Sequence, residues 1–159
     1  GFYAPLSLNC DWALRRILLP NIIVKQPCPN RYSCIKWTMA VDGTLYSDRG
    51  LDILLSLVRP RDRLDCFYMF NADDDGERIE LLKGHYQNML DQYAPPESAF
   101  HLVQQPRGVN IKQAITDYVN ESSPDFLALG PRARVTQTLT DVTSFIINNV
   151  NCSVMVCMN

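Results

Sequence analysis

At 159 residues the chain suits one domain with a sizeable core. Its hydrophobic content of 47%, charged content of 20% and net charge of −2 are those of an ordinary globular protein. The lack of a basic run argues against nucleic acid or an anionic membrane as partner, and no apolar stretch is long enough to span a bilayer.

Residues 1–33 come first and stand apart from the rest. Asp11 to Leu19 reads as a short amphipathic helix using Trp12, Leu14, Ile17 and Leu18, stopped by Pro20, and Asn21 to Val24 as a short extended segment. The stretch is expected to be an extension packed on the core, on a dimer or on a neighbouring domain. The first residue is Gly1, which reads as a trimmed start that leaves any targeting segment out of view.

From Cys34 onward strands and helices alternate. Cys34 to Val41 is an apolar run of strand formers. Ser47 to Val58 carries Leu51, Leu54, Leu55 and Val58 at helical spacing and ends before Pro60. Leu64 to Phe70 is a second strand. Gly76 to Tyr93 is a long helix with Ile79, Leu82, Tyr86, Met89, Leu90 and Tyr93 on one face, stopped by Pro95-Pro96. Phe100 to Val103 is a third strand. Asn110 can cap a helix that buries Ile111, Ala114, Ile115, Tyr118 and Val119. Phe126 to Leu129 is a fourth strand, Thr140 to Asn149 a helix with Val142, Phe145 and Ile146 inward, and Ser153 to Cys157 a last strand. The order βαβαβαβαβ predicts an α/β domain over 34–159. Its sheet should be parallel, with helices on both faces and right-handed crossovers.

Three sets of reactive residues read plainly. Six cysteines (Cys10, Cys28, Cys34, Cys66, Cys152, Cys157) form no CxxC pair, so reduced thiols in an intracellular protein are expected, with Cys28 and Cys34 as the exceptions to watch. Asn71-Ala72-Asp73-Asp74-Asp75-Gly76 imitates half of a calcium loop. Leu82 stands where the bidentate Glu belongs, so a solvated acidic loop before a helix is the expectation. His85 and His101 have no ligand-spaced neighbours, and no catalytic motif is present, so no metal and no enzyme activity are expected.

Two loops carry the functional signal. Val41-Asp42-Gly43-Thr44 follows the first strand of the alternating region. Gly130-Pro131-Arg132-Ala133 follows the fourth and precedes Thr143-Ser144. In an open parallel sheet both would lie at the carboxyl ends of neighbouring strands, where such folds bind nucleotides.

Four stretches together resemble one family. Met39-Ala40-Val41-Asp42-Gly43-Thr44 is similar to the first strand and V-D-G-S turn of universal stress proteins. Gly108-Val109-Asn110 is similar to their loop after strand three. Ser123-Pro124-Asp125-Phe126-Leu127-Ala128-Leu129-Gly130 is similar to their fourth strand, and Asn151-Cys152-Ser153-Val154-Met155-Val156 to their last. Residues 34–159 therefore resemble a universal stress protein domain.

That resemblance implies a Rossmann-like sheet of five parallel strands in order 3-2-1-4-5, with ATP or AMP at the switch point and magnesium only alongside the nucleotide. It implies Val41, Asp42 and Met69 around adenine and ribose, and Leu129 and Gly130 over the base or phosphates. The family's Gly-x-x-Gly, nine residues, then Gly-Ser or Gly-Thr, becomes Gly130, Ala133 and Thr143-Ser144. Ala133 and Thr143 put side chains where a phosphate needs bare backbone, and Pro131 offers no N–H. The hydroxyls of Thr143 and Ser144 and the charges of Arg132 and Arg134 offer replacements. Three readings stay open: a degenerate or altered site in a regulatory module, a working ATP or AMP stress sensor, and, weakest of the three, a slow ATPase. Beside these stands the plain one, in which Asp42 is a turn residue, the arginines are solvated and Thr143 and Ser144 decorate a helix. The resemblance also implies a cytoplasmic regulator that works through an unknown protein partner and a homodimer. The dimer would form by antiparallel pairing of the last strand around Val154 and Val156, and the alternative is an edge simply covered by the 1–33 extension.

Overall fold

The computed structural model describes residues 20–27, 33–130 and 140–157. Within them the chain runs β1 (Asn21–Ile23), β2 (Lys36–Ala40), α1 (Leu45–Leu57), β3 (Arg63–Phe70), α2 (Gly76–Tyr93), β4 (Ala99–Gln104), α3 (Ile111–Ser122), β5 (Phe126–Leu129), α4 (Asp141–Asn149) and β6 (Ser153–Val156). The helix expected at 11–19 and the site residues Arg132, Ala133 and Arg134 fall outside the described residues.

Capping side chains set where these helices begin. Thr44, Asp75, Asn110 and Thr140 each accept a backbone N–H from the first turn that follows, an arrangement that contributes about 1 kcal/mol per helix. The helix expected from Ser47 therefore starts at Leu45, with Thr44 as its cap. At the other end of α3, Ser123 takes a left-handed conformation (φ +48°) and Pro124 bars continuation.

The strands form one sheet in the order β1-β6-β5-β2-β3-β4. The expected sheet of five parallel strands in order 3-2-1-4-5 is corrected on two counts: among the described residues the sheet has six strands, and the full order differs. The difference lies at one end. Strands β2 to β6 pair in parallel as βαβ alternation demands, whereas β1 runs antiparallel to β6, with Ile22 opposite Met155. An open β6 would leave a row of backbone groups unpaired beside Val154, Met155 and Val156, all of them buried, and β1 supplies their partners. Strand β6 thus has a strand on each side within one chain, the edge cover expected of residues 1–33. Lys25 fastens this addition. Its backbone N–H donates to Ser153 Oγ at 3.1 Å, and its ammonium donates to the carbonyls of Ile147 and Val150 at the carboxyl end of α4. A cation is favoured there by the helix dipole, although partial burial lowers the pKa of Lys25.

Each face of the sheet carries its own core. Leu51 and Leu54 of α1 and Tyr86 and Leu90 of α2 pack on Met39, Leu64 and Met155. Val119 of α3 and Ile146 of α4 pack on Phe67, Leu127 and Val154 from the opposite side. Fully burying a side chain of this size stabilises by roughly 1.5–3 kcal/mol. Cys66, Cys152 and Cys157 belong to these cores. Burial pushes their thiols up, that of Cys152 to about 11 and that of Cys157 to about 12, so they behave as small inert hydrophobes. Among the described residues no helix is long and apolar enough to cross a membrane.

Candidate functional site

The chain leaves β2 through Val41, whose N–H donates to the carbonyl of Phe67 at 3.0 Å, and then turns sharply into α1. Asp42 organises that turn. Its Oδ1 accepts hydrogen bonds from the Thr44 N–H (3.0 Å), the Thr44 hydroxyl (2.6 Å) and the Ser47 hydroxyl (2.7 Å), while its own N–H donates to Ser47 Oγ at 3.0 Å. A short carboxylate that bonds the backbone two residues on is the usual reason for Asp at a turn. Gly43 follows with φ +77°, a left-handed value that favours glycine.

The Gly43 N–H is held from helix α2. It donates to the Tyr86 hydroxyl at 3.2 Å, which itself donates to Asp48 Oδ1 at 2.9 Å. Tyr86 is fully buried and stacks against Phe100. Burial, and then its bond to Asp48, push the Tyr86 hydroxyl far above the usual phenol range. His85 lies 3.2 Å from the other Asp48 oxygen. One chain of bonds thus runs from helix α2 through α1 to the turn after β2.

The second loop starts where β5 ends. Ala40 and Leu129 are register partners, so the two strand ends lie side by side. A Cβ on Gly130 would stand 3.0 Å from the Tyr46 carbonyl oxygen and 3.4 Å from Ser47 Cα. Glycine is required there by the close approach of β5 to the first turn of α1, whatever else it does.

Between these loops lies a crevice of about 290 Å³. Val41, Asp42, Leu129, Gly130 and Thr143 line it, so five of the expected site residues are brought together. Met69 does not reach it and packs in the core beneath α3. Ser144 is also outside the lining, with its N–H on the Thr140 carbonyl and its own carbonyl on Asn148. Ser47, Thr140, Ile111 and Ile115 are among its other wall residues, and their place in the site escaped the sequence reading. Two of them carry a signal in hindsight: Thr44-x-x-Ser47 and Thr140-x-x-Thr143 both have cap spacing. The Thr143 hydroxyl lies 2.9 Å from that of Thr140, which also accepts the Thr143 N–H at 3.2 Å.

No family model matches this sequence, and no curated protein matches it. Solved structures do. Universal stress protein UspA from Lactobacillus plantarum superposes with a TM-score of 0.63 at 12% identity, over 79% of this chain and 99% of that one. The chain has the universal stress protein fold. A universal stress protein from Archaeoglobus fulgidus in complex with dAMP matches at TM-score 0.61 and 18% identity, over 79% of this chain and 98% of its own. A universal stress protein family protein from Arabidopsis thaliana with AMP bound matches at TM-score 0.56 and 16% identity, over 77% and 90%. Within this universal stress protein fold, the acidic loop is used structurally. Asp74 accepts the Asn71 N–H at 2.8 Å, and Asp75 caps α2 through the Glu77 N–H at 3.1 Å.

Proposed function

We propose that the chain belongs to the universal stress protein family and is a cytoplasmic, non-catalytic regulatory module whose crevice takes an adenine nucleotide of the AMP or ATP type. The observation that carries this reading is the convergence of Val41, Asp42, Leu129, Gly130 and Thr143 on one crevice at the carboxyl ends of β2 and β5, where open α/β sheets place their ligands. Two solved proteins of this fold that hold dAMP and AMP support it. The altered end of the site is the phosphate end, where Ala133 and Thr143 replace the family's glycines. In this reading base and sugar supply most of the affinity, and magnesium enters only with a triphosphate.

The second reading is a module that binds no nucleotide and works through protein contacts. Two features favour it: Asp42 Oδ1 already accepts three bonds inside its own turn, and the packing of α1 accounts for Gly130. Self-association belongs to either reading, but a second copy has to displace β1 or pair beyond it.

Chromatography with mass detection of the small molecules released by heat from freshly purified protein separates the two. A stoichiometric adenine nucleotide, or a melting shift with added AMP, supports the sensor. Asp42→Ala is then expected to weaken AMP at least tenfold, about 1.4 kcal/mol, while the chain stays folded by circular dichroism. Empty extracts and no shift with AMP, ADP or ATP would reject nucleotide sensing.

A further inference from the structure

A second cavity, of about 280 Å³, opens at the opposite end of the sheet, against the amino halves of β2, β3 and β4. Strands of a parallel sheet are usually apolar on both faces, because helices cover them. On the α3 face that rule holds at the carboxyl half, where Ala40, Phe67, Met69 and Val103 are packed. It fails at the amino half, where the same face presents Lys36 and Thr38 of β2, Arg63 and Asp65 of β3, and His101 of β4. Tyr118 and Ser122 of α3 form the facing wall.

The charges in this groove are incompletely matched. Lys36 and Arg63 are register partners on adjacent strands, so two cations stand directly opposite on one face. Like charges so placed destabilise a sheet. Asp65 answers only one of them. Its Oδ2 accepts from Arg63 Nε at 2.8 Å, and its Oδ1 lies 3.4 Å from His101 Nε2. The Lys36 backbone N–H is held by Asp125 at 2.8 Å, but its ammonium has no protein partner among the described residues. The inner end of the groove is aromatic, with the Tyr118 and Phe67 rings 4.6 Å apart.

We propose that this groove is a binding site for a small organic anion, whose acidic group bridges Lys36 and Arg63 and whose apolar body lies against the Tyr118–Phe67 pair. An anion between the two cations turns their repulsion into a shared, charge-assisted attraction. The aromatic floor selects an organic anion over chloride or phosphate, since it offers area that an inorganic ion cannot use. The site is independent of the nucleotide crevice and shares no lining residue with it.

The test is a titration of isotope-labelled protein with sodium benzoate at constant ionic strength, followed by amide and methyl NMR. Saturable shifts confined to β2, β3 and the last turns of α3 are expected. Lys36→Met and Arg63→Met should each weaken benzoate at least fivefold, with circular dichroism unchanged. The absence of saturable shifts would overturn the proposal. So would saturable shifts at the groove that persist undiminished in the Lys36→Met/Arg63→Met double variant, because the cations would then be irrelevant.

Discussion

At the carboxyl ends of β2 and β5 the polar groups are turned on one another, whereas at the amino ends of β2 and β3 two cations face each other and the nearby carboxylate of Asp65 pairs, of the two, only with Arg63. Asp42, Thr44 and Ser47 bond to one another around the first turn of α1, and Thr140 and Thr143 do so at α4. Lys36 and Arg63 lack such mutual bonds. A site built from satisfied groups must gain affinity from shape and apolar contact. A site built from mismatched charge gains it from neutralisation, and its occupancy should respond steeply to ionic strength.

The sharpest way to test whether that mismatch is selective is to remove a carboxylate that is fully used. Asp62 also lies near the amino end of the sheet and is buried at 3% exposure. It accepts the Ile35 N–H at 3.0 Å, the Arg59 N–H at 2.9 Å and two guanidinium bonds from Arg59. Burial alone would raise its pKa, but the Arg59 side chain and the two backbone N–H groups outweigh that and hold it below the usual carboxylate value. Asp62→Ala removes four hydrogen bonds to a buried carboxylate and should cost about 3 kcal/mol in urea unfolding at pH 7. Because the folded pKa is depressed, this stabilisation is present above the unfolded value of about 3.9 and is lost as pH falls through the folded one. The deficit of the variant should therefore shrink below about pH 4. A change under about 1 kcal/mol at pH 7 would mean that this end of the sheet tolerates unsatisfied charge generally, and the Lys36–Arg63 pair would lose its significance.

At the carboxyl end the matching variant is Tyr86→Phe. It keeps the ring against Phe100 and removes only the hydroxyl that ties Gly43 to Asp48. Losing two part-buried hydrogen bonds should cost about 1 kcal/mol of stability. The Gly43 amide should also lose protection from hydrogen exchange relative to its neighbours, because its partner comes from another helix. Uniform loss of protection across α1 and α2 instead would show that the tyrosine supports packing and does not fix the turn.

How much of this was legible in the residues depends on how local each cause is. The helices from Leu45 onward follow from apolar spacing and from Thr44, Asn110 and Pro95-Pro96, all of which act within a turn or two. Strand β1 has three residues, and its partners are more than a hundred positions away, so no local pattern announces that Asn21–Ile23 closes the β6 edge. The crevice was half legible. Val41, Asp42 and Gly130 sit on loops whose position a parallel sheet dictates, but Met69 lies on a strand face, and alternation alone could not say that it points under α3. The groove was invisible for the opposite reason. Lys36, Arg63 and His101 each read as ordinary surface residues, and only the register of β2 against β3 puts two cations opposite each other.

The smallest predicted effect bears most directly on the contrast between the two ends. If Lys36 and Arg63 repel across the strand pair, removing one charge should stabilise the free protein. Lys36→Met keeps the aliphatic stem on the sheet and leaves the backbone bond to Asp125 in place. Unfolding at low ionic strength should show a gain of roughly 0.5 kcal/mol, the size expected of one cross-strand charge pair. Added salt should erase that gain, since it screens the repulsion that the variant removes. Saturating benzoate should reverse its sign, because the wild type then recovers binding free energy that Lys36→Met cannot. A residue kept for packing would show a loss in all three conditions. A residue kept for a bound anion costs stability when the site is empty and returns it when the site is filled, and that change of sign is what the three measurements together would detect.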